Sequence, residues 1–483
     1  MKLPRRKHTS SPPQVSRKSH KMKSEKFDVL FAVIAPREVT FFGKVADVLK
    51  ERYNLTSAFL TFYQPGDSYL RRNGFQVYSL HKEVHLLGVK AEADRIAEIE
   101  NKYEVKNIRQ LLLHEKLTFN RFDEDKLLIK LVEYDRYFDS LLRQHKIDNV
   151  VQEIGGFIAP MSLYYNCIHH DVRHIFIEPS MFKGRLFFNV DSMDVQLNKI
   201  PPPGQEILRE VENYVGGYNK NKTVVVPDKD RHHFMDAGIR KILNRRNIKR
   251  LCEKSYYKYI RREKEEYDVI SNHIKQHLTM FLRRRLSKKF YHQPDYTKKY
   301  IYFPLHVPLD FQLTMREIRY LNQLSLIERI GDILPSGCQL YIKEHPASIG
   351  GYEYAALKRI LRNQNIKLIH PNVNSYDLIA NASSVITINS KVGAEALMQG
   401  KAVIVLSNPY YAHARGAITL GDIQELPKVA FGYKNKTSEI DYGFLQRVYC
   451  NSFKGELYNE KTANVDDFAY SLKTHLSNTD KEK

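Results

Sequence analysis

The sequence predicts an α/β protein of two doubly wound parallel-sheet units with a basic helical segment between them. Three observations carry this. Strand-length apolar runs alternate with helical patterns toward both ends of the 483-residue chain. Residues 205–295 instead hold Lys- and Arg-rich helical patterns with little strand signal. No apolar run approaches the roughly 20 residues that a membrane span needs.

The first unit opens on Asp28–Pro36, an apolar run stopped by proline and read as a buried parallel strand. Phe41–Tyr53 follows with helical periodicity, Ser57–Tyr63 is a second strand and Phe75–Leu80 a third. Residues 90–146 are charged and helical, clearest over Ile108–His114 and Leu127–Leu142. Asn149–Gln152 is a strand running into Glu153-Ile-Gly-Gly156, Phe157–Cys167 a helix, and His174–Ile177 a strand ending at Glu178-Pro-Ser. Pro201-Pro-Pro-Gly204 marks a break.

The second unit starts at the strand Lys299–Pro304, followed by a helix over Arg316–Leu334. Strands Gln339–Lys343, Ile366–Ile369, Ser384–Ile388 and Ala402–Leu406 then alternate with helices Tyr354–Arg362, Tyr376–Asn381 and Gly393–Gln399. Asp466–His475 is a last helix. The expected division is a disordered basic arm over 1–26, units over 27–200 and 298–425, a basic helical insert over 201–297, and a helical tail over 426–483.

The net charge of +21 is concentrated in two places. Residues 1–26 carry a net +8 and residues 231–300 a net +13, so the remainder is neutral. A neutral body with two basic appendages favours an anionic partner, a membrane surface or a nucleic acid. The densest patch is Arg283-Arg-Arg285 with Lys288-Lys289, whose plain alternative is a solvated helical face. Cys167, Cys252, Cys338 and Cys450 are far apart, which disfavours a disulfide framework or structural zinc and fits a reducing cytoplasm. His169-His170, His232-His233 and His273 lack partners at metal spacing, so no metal site is expected. GxSxG, Walker A, HExxH and GxGxxG motifs are all missing from the sequence.

Open α/β sheets bind ligands at the carboxyl ends of their strands, so candidates are sought there. Lys343-Glu-His-Pro346 directly follows a strand, with Pro346 fixing the turn; Lys343 and His345 can donate to phosphate oxygens. In Asn389-Ser-Lys-Val-Gly-Ala-Glu395, Ser390 is placed to cap a helix whose N-terminus suits an anion. Gly393 there admits close approach to the backbone, and Glu395 suits a sugar hydroxyl or the helix dipole. Glu153 beside Gly155 and Gly156 is a candidate general base or acceptor-orienting group. Glu178, His306 and Gln312 are further cleft candidates. Each has a plain structural alternative: a strand exit, a turn or a surface histidine.

Taken in order, Tyr302-Phe-Pro-Leu-His306, Leu340-Tyr-Ile-Lys-Glu-His-Pro346, Val385-Ile-Thr-Ile-Asn-Ser-Lys-Val-Gly-Ala-Glu-Ala-Leu397 and Gly400-Lys-Ala-Val-Ile404 resemble the capsule polysaccharide biosynthesis family, which includes bacterial Kdo transferases. The resemblance covers mainly residues 300–412, with weaker support from Glu153–Arg185. It implies a GT-B fold, two Rossmann-like domains facing a cleft, with a nucleotide sugar such as CMP-Kdo on the C-terminal domain. It implies donor-phosphate contacts from His345 and Ser390, with Glu395 near the ribose or base. The acceptor and its base would come from the N-terminal domain, where Glu153 is the choice. It also implies no bound metal and no cofactor beyond the donor.

Where the family often has Gly-Thr or Ser-Thr, this chain has Asn389-Ser-Lys391. Lys391 adds a cation that suits a more highly charged donor.

The expected activity is therefore metal-independent glycosyl transfer to a growing surface polysaccharide or lipid-linked acceptor. The expected location is the cytoplasm, at the inner face of the plasma membrane, held there by residues 1–26 and 231–300. The alternatives are a CDP-glycerol or polyol-phosphate transferase of teichoic-acid type, a nucleotide-sugar epimerase of the same fold, and a non-enzymatic nucleic-acid binder using Tyr256-Tyr-Lys-Tyr259. The last is disfavoured, because it leaves the strand-end residues unexplained.

Overall fold

The computed structural model describes residues 26–84, 92–121, 123–200, 205–222, 224, 245–262, 270–432 and 439–477. The basic arm up to residue 25, the Pro201–Gly204 break, and residues 225–244 and 263–269 of the basic segment lie outside them. The described strands are β1 (Lys26–Val33), β2 (Ser57–Thr61), β3 (Gln76–Ser79), β4 (Lys146–Glu153), β5 (Arg173–Pro179), β6 (Arg185–Val190), β7 (Tyr291–His292), β8 (Lys299–Pro304), β9 (Cys338–Lys343), β10 (Ile366–Ile369), β11 (Ser384–Thr387), β12 (Val403–Val405), β13 (Ala417–Thr419) and β14 (Phe453–Lys454).

They form two seven-stranded sheets, in the orders β14-β6-β5-β4-β1-β2-β3 and β13-β12-β11-β8-β9-β10-β7. The second sheet is parallel throughout. The first is parallel from β3 to β5 and antiparallel at β6 and β14. Helices cover both faces of each, which explains the unbroken apolar strands. In β1, Leu30 and Ala32 enter one core layer while Val29, Phe31 and Val33 enter the other. In β8, Tyr300 and Tyr302 face one layer, Ile301 and Phe303 the other. Two Rossmann-like units thus face each other across a cleft, in a GT-B-like arrangement.

Several elements differ from the sequence reading. Pro36 does not stop a strand but begins the helix Pro36–Tyr53, since proline at the first helical position costs no hydrogen bond. A helix at Gln64–Arg72 joins β2 to β3, where the sequence reading assigns no element. The helix expected from Arg316 starts at Gln323, where the Asn322 side chain accepts from the Ser325 amide. Arg316 instead closes a wide helical turn, Gln312–Arg316.

The segments expected as insert and tail are built into the units. The helix Glu206–Asn221 buries Val211 and Val215 in a core layer of the second sheet, and Tyr442–Cys450 adds Leu445 and Val448 to the same layer. The chain then returns to the first unit. There β14 pairs with β6, and the helix Thr462–Ser477 lies on Pro36–Tyr53, with Phe468 packed 5.0 Å from Phe41.

Each sheet has one place where neighbouring strands send the chain in opposite directions, between β1 and β4 and between β8 and β11. A crevice opens outside the strand ends at such points. In the second unit that crevice receives His306 and Asn389-Ser390.

Candidate functional site

The cleft has a volume of about 1830 Å³ and is lined by residues of both units. From the second unit His306, Gln312, Lys343, His345, Asn389, Ser390, Lys391 and Glu395 reach it, and from the first Glu178. Nine of the sequence candidates therefore meet in one place.

At the end of β9 alternate side chains divide. Glu344 points into the fold, accepting from the Tyr291 hydroxyl at 2.5 Å and the Gly350 amide at 2.9 Å. Lys343 and His345 face the cleft. Lys343 is buried, its Nζ donating to Val373 O at 2.5 Å and Ser375 Oγ at 2.8 Å. Burial pushes its ammonium pKa down to about 8, against the pull of Glu395. His345 Nδ1 accepts from the Ala347 amide at 3.2 Å. That contact fixes the neutral tautomer, so the ring proton sits on Nε2.

At the end of β8, His306 is held by its backbone. Its amide donates to Gln323 Oε1 at 2.8 Å, and its carbonyl accepts from the Tyr352 hydroxyl at 2.7 Å. Burial, with His345 adding, pushes the imidazole pKa down to about 3, so the ring is neutral. His306 Nε2 is buried without a hydrogen-bond partner among the described residues.

After β11, Asn389 Nδ2 donates to Gln312 O at 3.1 Å, while its Oδ1 has no partner among the described residues. Ser390 caps the helix Lys391–Met398, accepting from the Val392 amide at 3.3 Å. The Tyr411 hydroxyl donates to Ser390 O at 2.6 Å and so fixes the cap. Gly393 does not line the cleft; a Cβ there would come within 2.7 Å of the Tyr411 ring. Its role is to seat Tyr411 rather than to admit a ligand. Glu395 is buried one turn further along.

The Glu153-Ile-Gly-Gly segment is not where the sequence reading put it. Glu153, Gly155 and Gly156 are not among the lining residues. The Glu153 carboxylate accepts from the hydroxyl of Tyr458, from the returning C-terminal segment. Gly156 is a point of contact between the units: a Cβ would meet Met315 at 2.7 Å and His114 at 2.8 Å.

Sequence reasoning missed Arg316. Its guanidinium donates to Glu178 at 2.6 and 3.2 Å, to Gln312 Oε1 at 3.2 Å and to Met193 O at 2.9 Å. Asp194 from the first unit also lines the cleft and lies 3.2 Å from Arg316 Nε. Both fall where the sequence shows only a helix start and a polar loop. His169 and His170 do acquire a neighbour at metal distance, Asp139 from another helix. That carboxylate is already paired with Lys102 and Arg143, so its charge is balanced without an ion.

Comparison with known proteins adds the following. The family model described as capsule polysaccharide biosynthesis protein matches residues 209–418. Protein FixF of Sinorhizobium fredii is 30% identical over 129 residues, 26% of this chain and 31% of FixF; the chain thus spans about a third of that relative. The β-Kdo 2,4 transferase of Thermosulfurimonas dismutans KpsC is 14% identical, with 70% of this chain and 93% of that one covered and a TM-score of 0.36. The UDP-GlcNAc 2-epimerase of Neisseria meningitidis bound to UDP-GlcNAc is 12% identical, with 88% and 98% covered and a TM-score of 0.32. The four motifs that line the second unit's strand ends all fall inside 209–418, the segment that matches the capsule polysaccharide biosynthesis model.

Proposed function

We propose that the protein is a glycosyltransferase that moves a sugar, Kdo-like or related, from a nucleotide-activated donor to a growing surface polysaccharide or glycolipid. One observation carries this reading. Lys343, His345 and the Ser390-capped helix N-terminus converge on the cleft from the ends of β9 and β11. A cation, an Nε2–H donor and a helix dipole gathered there suit a phosphate that gains charge as it leaves. They do the work that a metal ion does in other transferases, so the reaction is proposed to be metal-independent. The four thiols remain free, in keeping with a cytoplasmic site of action.

In the transfer, the acceptor hydroxyl loses its proton to a base as its oxygen bonds the anomeric carbon. The bond from that carbon to the phosphate oxygen breaks, and the nucleotide leaves with the electron pair. Glu153 is outside the cleft, so the base is sought among cleft carboxylates of the first unit. Glu178 is engaged by Arg316 and by Asn189 Nδ2 at 2.7 Å. Asp194 lines the cleft with a side chain 77% exposed and touches Arg316 at a single 3.2 Å contact, against the two shorter-range bonds that hold buried Glu178; it is the proposed base.

A nucleotide panel by thermal shift tests this reading, using CMP, CDP, UDP and GDP with and without EDTA. Ligands that bind the native state raise its melting temperature. A shift by CMP that survives EDTA supports the Kdo-like donor. Lys391 on the cleft favours a second reading, a nucleoside diphosphate donor such as a CDP-polyol, and a shift by CDP but not CMP selects it. No shift by any nucleotide overturns both.

A further inference from the structure

The helix Ile270–Ser287 is seated by one side, mainly on the second unit, with Asn272 Nδ2 donating to Phe119 O of the first at 2.5 Å. Ser287 is buried, Arg283 Nη1 reaches Gly351 O at 3.4 Å, and a Cβ on Gly350 would clash with Met280 O. On the other side Ile274, Leu278, Leu282 and Leu286 recur every fourth residue and form one stripe. These four side chains are 48%, 53%, 51% and 54% exposed. Single exposed leucines are ordinary; four in register on one helix mark an interface.

Charge decides what covers it. The helix has no Asp or Glu, and Lys275 and Arg285 share the exposed side, with exposed Lys288 and Lys289 just beyond its end. A second copy meeting this face about a two-fold axis would set these cations against themselves. An anionic bilayer would accept both components: acyl chains for the stripe and headgroup phosphates for the cations.

We propose that this helix lies in the interface of an anionic phospholipid membrane and docks the protein there. Exposed Tyr256, Tyr259 and Ile260, in the turn after the preceding basic helix Arg245–Ser255, supply further side chains of the kind found at bilayer interfaces. Arg284, on the seated side of the docking helix, lines the cleft. Docking therefore sets the cleft beside the bilayer, within reach of an acceptor carried on a lipid. The docking itself does not depend on the transferase reading.

Flotation of the full chain with vesicles tests it. The protein is expected to float with phosphatidylcholine–phosphatidylglycerol vesicles and not with phosphatidylcholine alone. Leu278→Ser with Leu282→Ser should lower the bound fraction at least about tenfold, through loss of buried apolar area. Arg285→Glu with Lys288→Glu, which leaves the stripe intact, should lower it comparably. An unchanged nucleotide-induced melting shift shows that the variants are folded; if the parent gives no such shift, circular dichroism serves and the flotation result still stands. A parent chain that stays at the bottom of the gradient overturns the proposal. So do variants that float like the parent, and so does a soluble dimer that the serine variant splits.

Discussion

The Arg316 guanidinium of the second unit holds the Glu178 carboxylate of the first, with the shorter contact at 2.6 Å and both side chains largely buried. It is a charged bond across the seam of the two units. Removing one partner leaves the other charge buried and unpaired, which costs about 3–5 kcal/mol. Arg316→Ala is therefore expected to lower the first urea transition by that order. Arg316→Lys should recover little, because an ammonium cannot reproduce the fork.

His345→Ala should reduce transfer by about a hundredfold or more, the usual loss when one donor to a developing anion is removed. The fold should be nearly unaffected, since His345 lies in a loop at the cleft wall, where its ring accepts from the Ala347 amide. Transfer at the parent rate would remove His345 from the site.

Asp194→Asn should abolish transfer while nucleotide binding persists, because the base acts on the acceptor and not on the donor. Loss of the nucleotide-induced melting shift would place Asp194 on the donor side instead.

Buried histidines make the fold acid-sensitive. Burial pushes His174 to about 3 and His114 to about 4, as it does His306 and His475 to about 3, against an ordinary value of 6.5. Below pH 6.5 the unfolded chain takes up protons that the native protein refuses. Stability is thus full above that pH and falls as pH drops toward 3. His174, packed against Tyr164 and Phe176 with both ring nitrogens unbonded among the described residues, should give the clearest effect. His174→Leu is expected to raise the melting temperature more at pH 5 than at pH 8.

Lys343 sets an upper limit on donor binding. With its pKa pushed down to about 8 in the free protein, the ammonium is lost as pH rises past that value. Nucleotide affinity should weaken from about pH 8 upward. Lys343→Met should bind more weakly and show no such dependence, which calorimetry across pH 7–9.5 would read.

Much of the fold is legible in the sequence because the strands are covered on both faces. β1, β8, β9 and β11 are largely apolar, and the residues that follow β8, β9 and β11 line the cleft. β6 and β14 leave weaker signals, since Arg185–Val190 is flanked by polar turns and Phe453–Lys454 is only two residues long. Glu153 reads in the sequence as a cleft residue but does not line the cleft, for a specific reason. Glu153 does end a strand at its sheet's switch point, but Tyr458, 305 residues later, takes up its carboxylate. No local pattern encodes that contact. Arg316 was hidden by a helical pattern that Asn322 interrupts.

The returning C-terminal helix has a consequence for how the protein is made. Phe41 and Phe42 emerge in synthesis long before their packing partner Phe468. The second unit can close on itself while the chain is still growing, whereas the first must wait for Phe468. During that interval the helix Pro36–Tyr53 carries an uncovered aromatic face. The unit whose strands are synthesised first of the two is thus the last to be completed.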